Sequence, residues 1–260
     1  MKIVVLLKMV PDVVEELEIA SDGKTLDTEF LRLIANELDS QALEEALLLK
    51  EKYGGSVAVV ALDAPEVDDA LFTALAKGAD LAFKVAAGDN ALSTRAGAHL
   101  LVQALSAIPG LLPADLILTG AQATDDLDGL TAPLVAHWLQ LPQVGIVTAV
   151  KVDSASGIAT VLREFPGGVR GEFEVKLPAV LGIQAAEKPP RYVPVAKVRV
   201  AMKSQTIQSV PASAAAEGGG RLQVEKMAKP EVTEHAQMLE GSPEEIAGQL
   251  CEILAVRGLL

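Results

Sequence analysis

Apolar positions along the chain fall into two recurring patterns. Residues 3–7 (IVVLL) form a short continuous apolar run, and Pro11-Asp12 follows soon after. A run of this length, rich in β-branched residues, predicts a strand buried on both faces. Residues 39–52 (DSQALEEALLLKEK) instead place Ala42, Ala46, Leu47 and Lys50 at helical spacing. Asp39 or Ser40 can cap this helix, Lys50 and Lys52 suit its last turn, and Gly54-Gly55 stops it. The alternation then repeats. Residues 56–62 (SVAVVAL) predict a strand, 66–77 a helix ended by Gly78, 81–86 a strand, and 92–108 an Ala/Leu-rich helix closed by Pro109-Gly110. Residues 115–119 (DLILT) predict a fourth strand, followed by a polar loop and a helix over 131–139. Strand–helix alternation at this spacing predicts an α/β fold with a parallel sheet and right-handed crossovers. Ligands of such folds sit beyond the carboxyl ends of the strands, at the point where strand order reverses. The loops after Leu7, Leu62 and Thr119 are therefore the ones to inspect.

The pattern changes near residue 150. Residues 158–164 and 172–176 flank Pro166-Gly167-Gly168, which predicts an antiparallel hairpin with a glycine turn, and 177–183 read as one more apolar strand. Residues 211–220 (PASAAAEGGG) have the composition of a flexible connector. Beyond them Ser242-Pro243-Glu244-Glu245 is a strong helix start, and Ile246, Leu250, Ile253 and Leu254 give that helix an apolar face. The expected organisation is an α/β domain over residues 1–210 and a linker with a C-terminal docking arm over 211–260.

Composition narrows the function classes. Of 260 residues half are hydrophobic but only 3% aromatic, so the core must be built from Ala, Val, Leu and Ile. A formal charge of −13 argues against a general binder of nucleic acid or anionic membrane, which relies on cationic patches. The single cysteine, Cys251, removes intramolecular disulfides, and three scattered histidines (His99, His137, His235) make an all-protein zinc centre a poor reading. The first residues do not resemble a signal peptide, and no uncharged apolar run reaches the ~18 residues of a membrane span, so no membrane insertion and a cytoplasmic location are expected.

Residues 120–131 (GAQATDDLDGLT) follow a strand and open a helix, so backbone N–H groups there can receive an anion and Thr131 can add a hydroxyl. An ordinary capped loop with solvated Asp125, Asp126 and Asp128 fits the same spacing, because neither G-x-G-x-x-G nor a Walker lysine is present. If an anion does bind, the main chain and not the aspartates must face it. Asn36-Glu37-Leu38-Asp39 reads as an N-cap cluster or as a nucleoside-binding group. Lys8 reads equally as a snorkelling lysine or a site charge. No Ser/His/Asp or Cys/His arrangement emerges, and no catalytic acid–base pair can be nominated.

Six segments, in order, resemble one family. Lys8-Met9-Val10-Pro11-Asp12 resembles the V-K-x-V-x-D start of the electron transfer flavoprotein beta subunit. Residues 36–47 are similar to its N-P-F/Y-D…A-x-E-E-A-L stretch, residues 73–80 to A-L-A-x-G-A-D, and residues 120–131 to the adenine-nucleotide loop G-K-Q-x-x-D-D-D-x-x-Q-T. Leu177-Pro178-Ala179-Val180 and Pro190-Arg191-Tyr192 match L-P-A-V and E-P-R-Y. The resemblance implies an adenine nucleotide hydrolase-like domain, and a heterodimer with an alpha subunit that holds most of an FAD. It implies a buried AMP at Leu6, Asn36, Glu37, Leu38, Asp39 and Leu62, with its phosphate on Gly120, Ala121, Gln122, Ala123, Thr124, Asp125, Asp126, Leu127, Asp128, Gly129, Leu130 and Thr131. It further implies an electron carrier, not a stand-alone enzyme, that passes electrons from flavin dehydrogenases to a membrane quinone-linked oxidoreductase. In a bifurcating branch the same pocket holds the adenosine part of a second FAD.

The chain departs from the family pattern at Glu37, Ala121, Leu127 and residues 128–130. It departs again after Tyr192, where family members grip dehydrogenases and this chain has Val193-Pro194-Val195-Ala196. Without the resemblance, an ATP-binding enzyme and a nucleotide-sensing module of the same fold remain open readings.

Overall fold

The structure, a computed structural model, describes residues 1–87, 93–211, 224–230, 236 and 238–260. Most of the expected connector and His235 lie outside these residues. The described residues form two units, Met1–Glu225 and Lys226–Leu260.

In the first unit the elements run β1 (Lys2–Leu7), β2 (Met9–Pro11), β3 (Leu33–Ala35), α1 (Glu37–Tyr53), β4 (Ser56–Leu62), α2 (Val67–Lys77), β5 (Leu81–Val85), α3 (Thr94–Ala107), β6 (Leu116–Gly120) and α4 (Thr131–Leu139). They continue with β7 (Gln143–Asp153), β8 (Ile158–Phe165), β9 (Val169–Lys176), β10 (Ala179–Ile183), α5 (Val195–Ser204) and β11 (Ile207–Val210). The nine-stranded sheet has the order β11-β5-β4-β1-β6-β10-β7-β8-β9. Pairing is parallel from β11 through β7, while β7–β8 and β8–β9 are antiparallel. The α/β reading with a parallel sheet and a terminal hairpin is therefore the observed fold.

Strand β1 shows why the sheet is covered on both sides. Ile3, Val5 and Leu7 join one apolar core with the buried faces of α1 and α2, whereas Val4 and Leu6 join a second with α3 and α4. Each such side chain taken from water contributes roughly 1.5–3 kcal/mol, so a strand with five buried residues has no polar face to spare. From β1 the chain winds through β4 to β5 on one side. It then crosses back through α3 to β6 on the other side of β1, and strand order reverses between β1 and β6.

Two expectations are corrected. The first helix begins at Glu37, with Asn36 at the cap position, not at Asp39 or Ser40. Asp39 lies inside the first turn, and its carboxylate is spent elsewhere. The sequence reading also passed over the small β2–β3 sheet, β7, α5 and β11, of which β7 and β11 extend the main sheet.

The second unit contains α6 (Pro243–Val256), which starts as the sequence predicts. Ser242 Oγ accepts the Glu245 N–H at 3.3 Å and the Glu245 carboxylate accepts the Ser242 N–H at 2.7 Å, a reciprocal cap. Leu250, Leu254 and Cys251 are exposed on it. Among the described residues no helix is long and apolar enough to cross a membrane.

Candidate functional site

Where strand order reverses, the β1–β6 ladder pairs only as far as Val5↔Leu118, and the strand ends separate. Asp39, on the first turn of α1, fills the gap. One carboxylate oxygen accepts the Lys8 N–H at 2.8 Å, just past β1, and the other accepts the Gly120 N–H at 2.6 Å, at the end of β6. Burial pushes the Asp39 carboxyl up, and the Lys8, Gly120 and Asn36 donors pull it back only in part, leaving it at about 6. Gly120 is required by this clasp: a Cβ there would stand 2.6 Å from Asp39 Oδ1 and 2.8 Å from the backbone of residues 38 and 39.

Beyond the clasp lies a cavity of about 500 Å³. Leu6, Leu62, Pro65, Ala98 and Leu101 supply apolar wall, while Lys8, Asn36, Asp39, Asp125, Asp126 and Thr131 bring polar groups to it. Its place agrees with the general rule for doubly wound sheets, and its size suits a small-molecule or cofactor site.

The loop 120–131 is arranged by its own polar side chains. Lys8 Nζ reaches Asp125 at 2.7 Å and Asp126 at 2.6 Å. Burial alone would pull the Lys8 ammonium down, but its bonds to these aspartates and their charges outweigh that and hold it above the ordinary lysine value. Asp126 also accepts the Thr94 hydroxyl at 3.3 Å and the Asp128 N–H at 3.2 Å, and Asp128 accepts the Leu130 N–H at 2.9 Å. Asp125 and Asp128 remain exposed to solvent, as the capped-loop reading expects, while all three carboxylates also accept bonds that order the loop. Gly129 takes φ +61°, and a Cβ there would lie 3.0 Å from the Ala121 carbonyl oxygen. Helix α4 begins without a side-chain cap at Leu130. Since Pro133 has no N–H and Leu134 bonds back to Leu130, the N–H groups of Thr131 and Ala132 are the ones its start can offer.

Asn36 occupies the cap position of α1 without capping it. Its amide N–H donates to the Gln122 carbonyl at 2.9 Å and ties α1 to the loop. Its buried Oδ1 has no partner among the described residues, and a buried acceptor in that state costs about 1–3 kcal/mol until a donor meets it.

Of the residues expected at the site, Leu6, Asn36, Asp39, Leu62, Gly120, Ala121, Gln122, Ala123, Asp125, Asp126, Asp128, Gly129 and Thr131 line the cavity. Glu37, Leu38, Thr124, Leu127 and Leu130 do not line it; Leu127 is turned outward with φ 54°. The sequence reading missed Ser93, Thr94 and Gly97 at the start of α3, and Thr28, Leu31 and Leu33 before and in β3. It also missed Asp63, Ala64 and Pro65, although the loop after Leu62 was one of the three to inspect. Neither described histidine lines the cavity: His99 packs edge-on to Trp138 with centroids 5.1 Å apart, and His137 is exposed.

Comparisons with known proteins converge. A family model described as the electron transfer flavoprotein domain matches residues 25–215. The electron transfer flavoprotein subunit beta of Methylophilus methylotrophus is 30% identical, covering 98% of this chain and 98% of its own. The subunit of the same name from Syntrophomonas wolfei is 35% identical over 97% of this chain and 95% of its own. That from Clostridium acetobutylicum is 36% identical over 76% and 74%. A domain match across most of the chain, joined to end-to-end relatives, leads to one conclusion: this chain belongs to the electron transfer flavoprotein family, on its beta-subunit side.

Proposed function

We propose that this chain is the beta subunit of a heterodimeric electron transfer flavoprotein, and that its cavity holds AMP as a structural nucleotide. Membership of the family supports the electron-carrier role, and with it an alpha-subunit partner and flavin. The fit of an adenine nucleotide rests on the cavity itself. Leu6 and Leu62 offer apolar surface to a base, and Asn36 Oδ1 lacks a donor that a nucleoside carries. The observation that carries the reading is the Lys8–Asp125–Asp126 arrangement. By drawing the loop carboxylates onto its ammonium, Lys8 removes the repulsion that would otherwise exclude a phosphate. The main chain of residues 120–131 and the uncapped start of α4 are then the groups that meet the anion.

In this reading the chain's side chains do no bond-making. Asp39 keeps the crevice at a set width, Asn36 and Lys8 hold the loop, and the walls keep water from the base. When bound, an FAD held mainly by the alpha subunit would supply the redox chemistry between flavin dehydrogenases and a quinone-linked oxidoreductase. Residues 193–204, after Tyr192, receive the dehydrogenase. Support comes from exposed Val195 and Val200 beside Lys197, Arg199 and Lys203, a basic and apolar surface on a chain of charge −13. Residues 211–260 form an arm whose helix α6 docks its apolar face on the alpha subunit.

The test is a cofactor inventory of the chain purified with its alpha subunit, denatured and resolved chromatographically. One FAD and one AMP per heterodimer is the expected result. Two FAD and no AMP would transfer the cavity to the adenosine end of a second flavin and make electron bifurcation the function. A complex without flavin would overturn the carrier role.

A further inference from the structure

Further along α1, from Gln41 to Glu51, lies a second set of contacts that nucleotide binding does not use. After β10 the chain leaves the sheet and runs to α5 without regular structure. It contains Pro189, Pro190 and Pro194, which have no N–H to give. Three of its remaining N–H groups are taken by side chains of α1. Ala186 donates to Gln41 Oε1 at 3.1 Å, Glu187 to Glu45 Oε2 at 2.9 Å, and Arg191 to Glu44 Oε2 at 2.9 Å. Gln41, Glu44 and Glu45 stand at i, i+3 and i+4, one face of the helix. The Arg191 guanidinium then closes on Glu44 through Nε at 2.9 Å and Nη2 at 2.8 Å, and reaches Glu51 through Nη1 at 2.6 Å.

Glu44 and Glu45 are 3% and 1% exposed. Water would satisfy a surface segment's N–H groups without burying two carboxylates, and desolvating them is costly. Buried ion pairs are poor stabilisers, and their best-attested use is to select one arrangement among several. Here the arrangement selected is the path of residues 186–191, which ends one residue before exposed Tyr192 and four before α5. At its far end α5 is already fixed, with Ala201 buried and β11 paired to β5. At its leading end Val193 and Val198 pack partly buried against the core, and the strap adds a polar hold on the chain that enters there.

We propose that Glu44, with Arg191, Gln41 and Glu45, positions the leading end of α5 for the electron-donating dehydrogenase. The inference rests on the docking reading above for residues 193–204. These are positioning residues, since none of them lines the cavity. The strap sets how well the partner is caught, and leaves electron transfer within a formed complex untouched.

The experiment uses the whole alpha–beta complex and a flavin dehydrogenase first shown to reduce the wild-type complex. Glu44→Gln should raise the KM for the complex about tenfold with kcat within about twofold, the pattern of lost binding and not of lost chemistry. Flavin and nucleotide per complex should stay as in wild type. Arg191→Met should act alike, and the double variant should be little worse than either, because both remove one pair. Glu51→Ala perturbs the same guanidinium from the exposed side and should raise KM about two- to threefold; it decides the matter if Glu44→Gln does not fold. Unchanged KM in the folded variants would overturn the inference while leaving the docking reading intact. If no dehydrogenase reduces the wild-type complex, the docking reading falls before any variant is made, and this inference with it.

Discussion

The β8–β9 hairpin and the loop 120–131 both reverse or redirect the chain with glycines, yet they are held in opposite ways. In the hairpin every residue from Ile158 to Phe165 pairs with a partner in β9, and the turn glycines 167 and 168 face open space. Its shape is a local matter of register and turn. The loop has no ladder of its own. It is held by Lys8, Asn36 and Asp39, residues 81 to 118 positions away in sequence. A locally held reversal tolerates change at its tip. A crevice assembled from distant polar groups transmits any change to the strand ends it joins.

The widest separation between the two regions comes from one substitution made in each. Gly120→Ala forces a Cβ into the backbone of residues 38 and 39 and should cost about 3 kcal/mol in denaturant unfolding. Gly168→Ala meets nothing within 4 Å, but its φ of +74° strains a side chain, so about 1 kcal/mol is expected. Equal costs would mean that the crevice is no more tightly specified than the hairpin.

Asp39 sharpens the comparison through pH. Its carboxyl is held at about 6, above its ordinary value, so its stabilising contribution is present below about pH 4 and is lost as pH climbs through 6. Asp39→Asn cannot titrate. Comparing their unfolding curves across that range, the stability of wild type relative to the variant should fall by about 2–3 kcal/mol. A difference that stays flat would show that the clasp does not strain its carboxylate.

The smallest effect belongs to Lys8, which is partly exposed and contributes little to folding. Lys8→Met should leave unfolding within about 1 kcal/mol of wild type. It should nevertheless lower nucleotide affinity about tenfold by freeing Asp125 and Asp126, measured by AMP rebinding after nucleotide removal. Unchanged affinity would show that the loop carboxylates never opposed the ligand.

Much of the sheet was readable because buried parallel strands declare themselves locally. Residues 56–62 and 131–139 fold within the bounds their apolar pattern sets. What went unread lacks such a pattern. Strand β7 mixes exposed and buried positions over eleven residues, β11 is only IQSV, and α5 (VAKVRVAMKS) has Ala201 as its one buried residue. The site shows the same division. The strand-end rule pointed to the loops after Leu7, Leu62 and Thr119, and the family resemblance supplied Leu6 and Leu62. That Asn36 would forgo capping and Asp39 would bridge two strands depends on which strands become neighbours, and no local spacing encodes that. Thr94 was invisible for the same reason: it reaches Asp126 only because α3 returns across the sheet.

Strand β11 also bears on how the protein is made. Its four residues close the outer parallel edge by pairing with β5, more than a hundred and twenty positions earlier. In synthesis from the N-terminus, β1, β4 and β5 emerge long before that edge can be covered, and β10 must still insert between β6 and β7. The growing chain thus carries an open apolar strand edge for most of its translation. Such edges invite association with other chains. Yield of correctly assembled protein should accordingly respond to translation speed and to chaperone supply, whatever the stability of the finished fold.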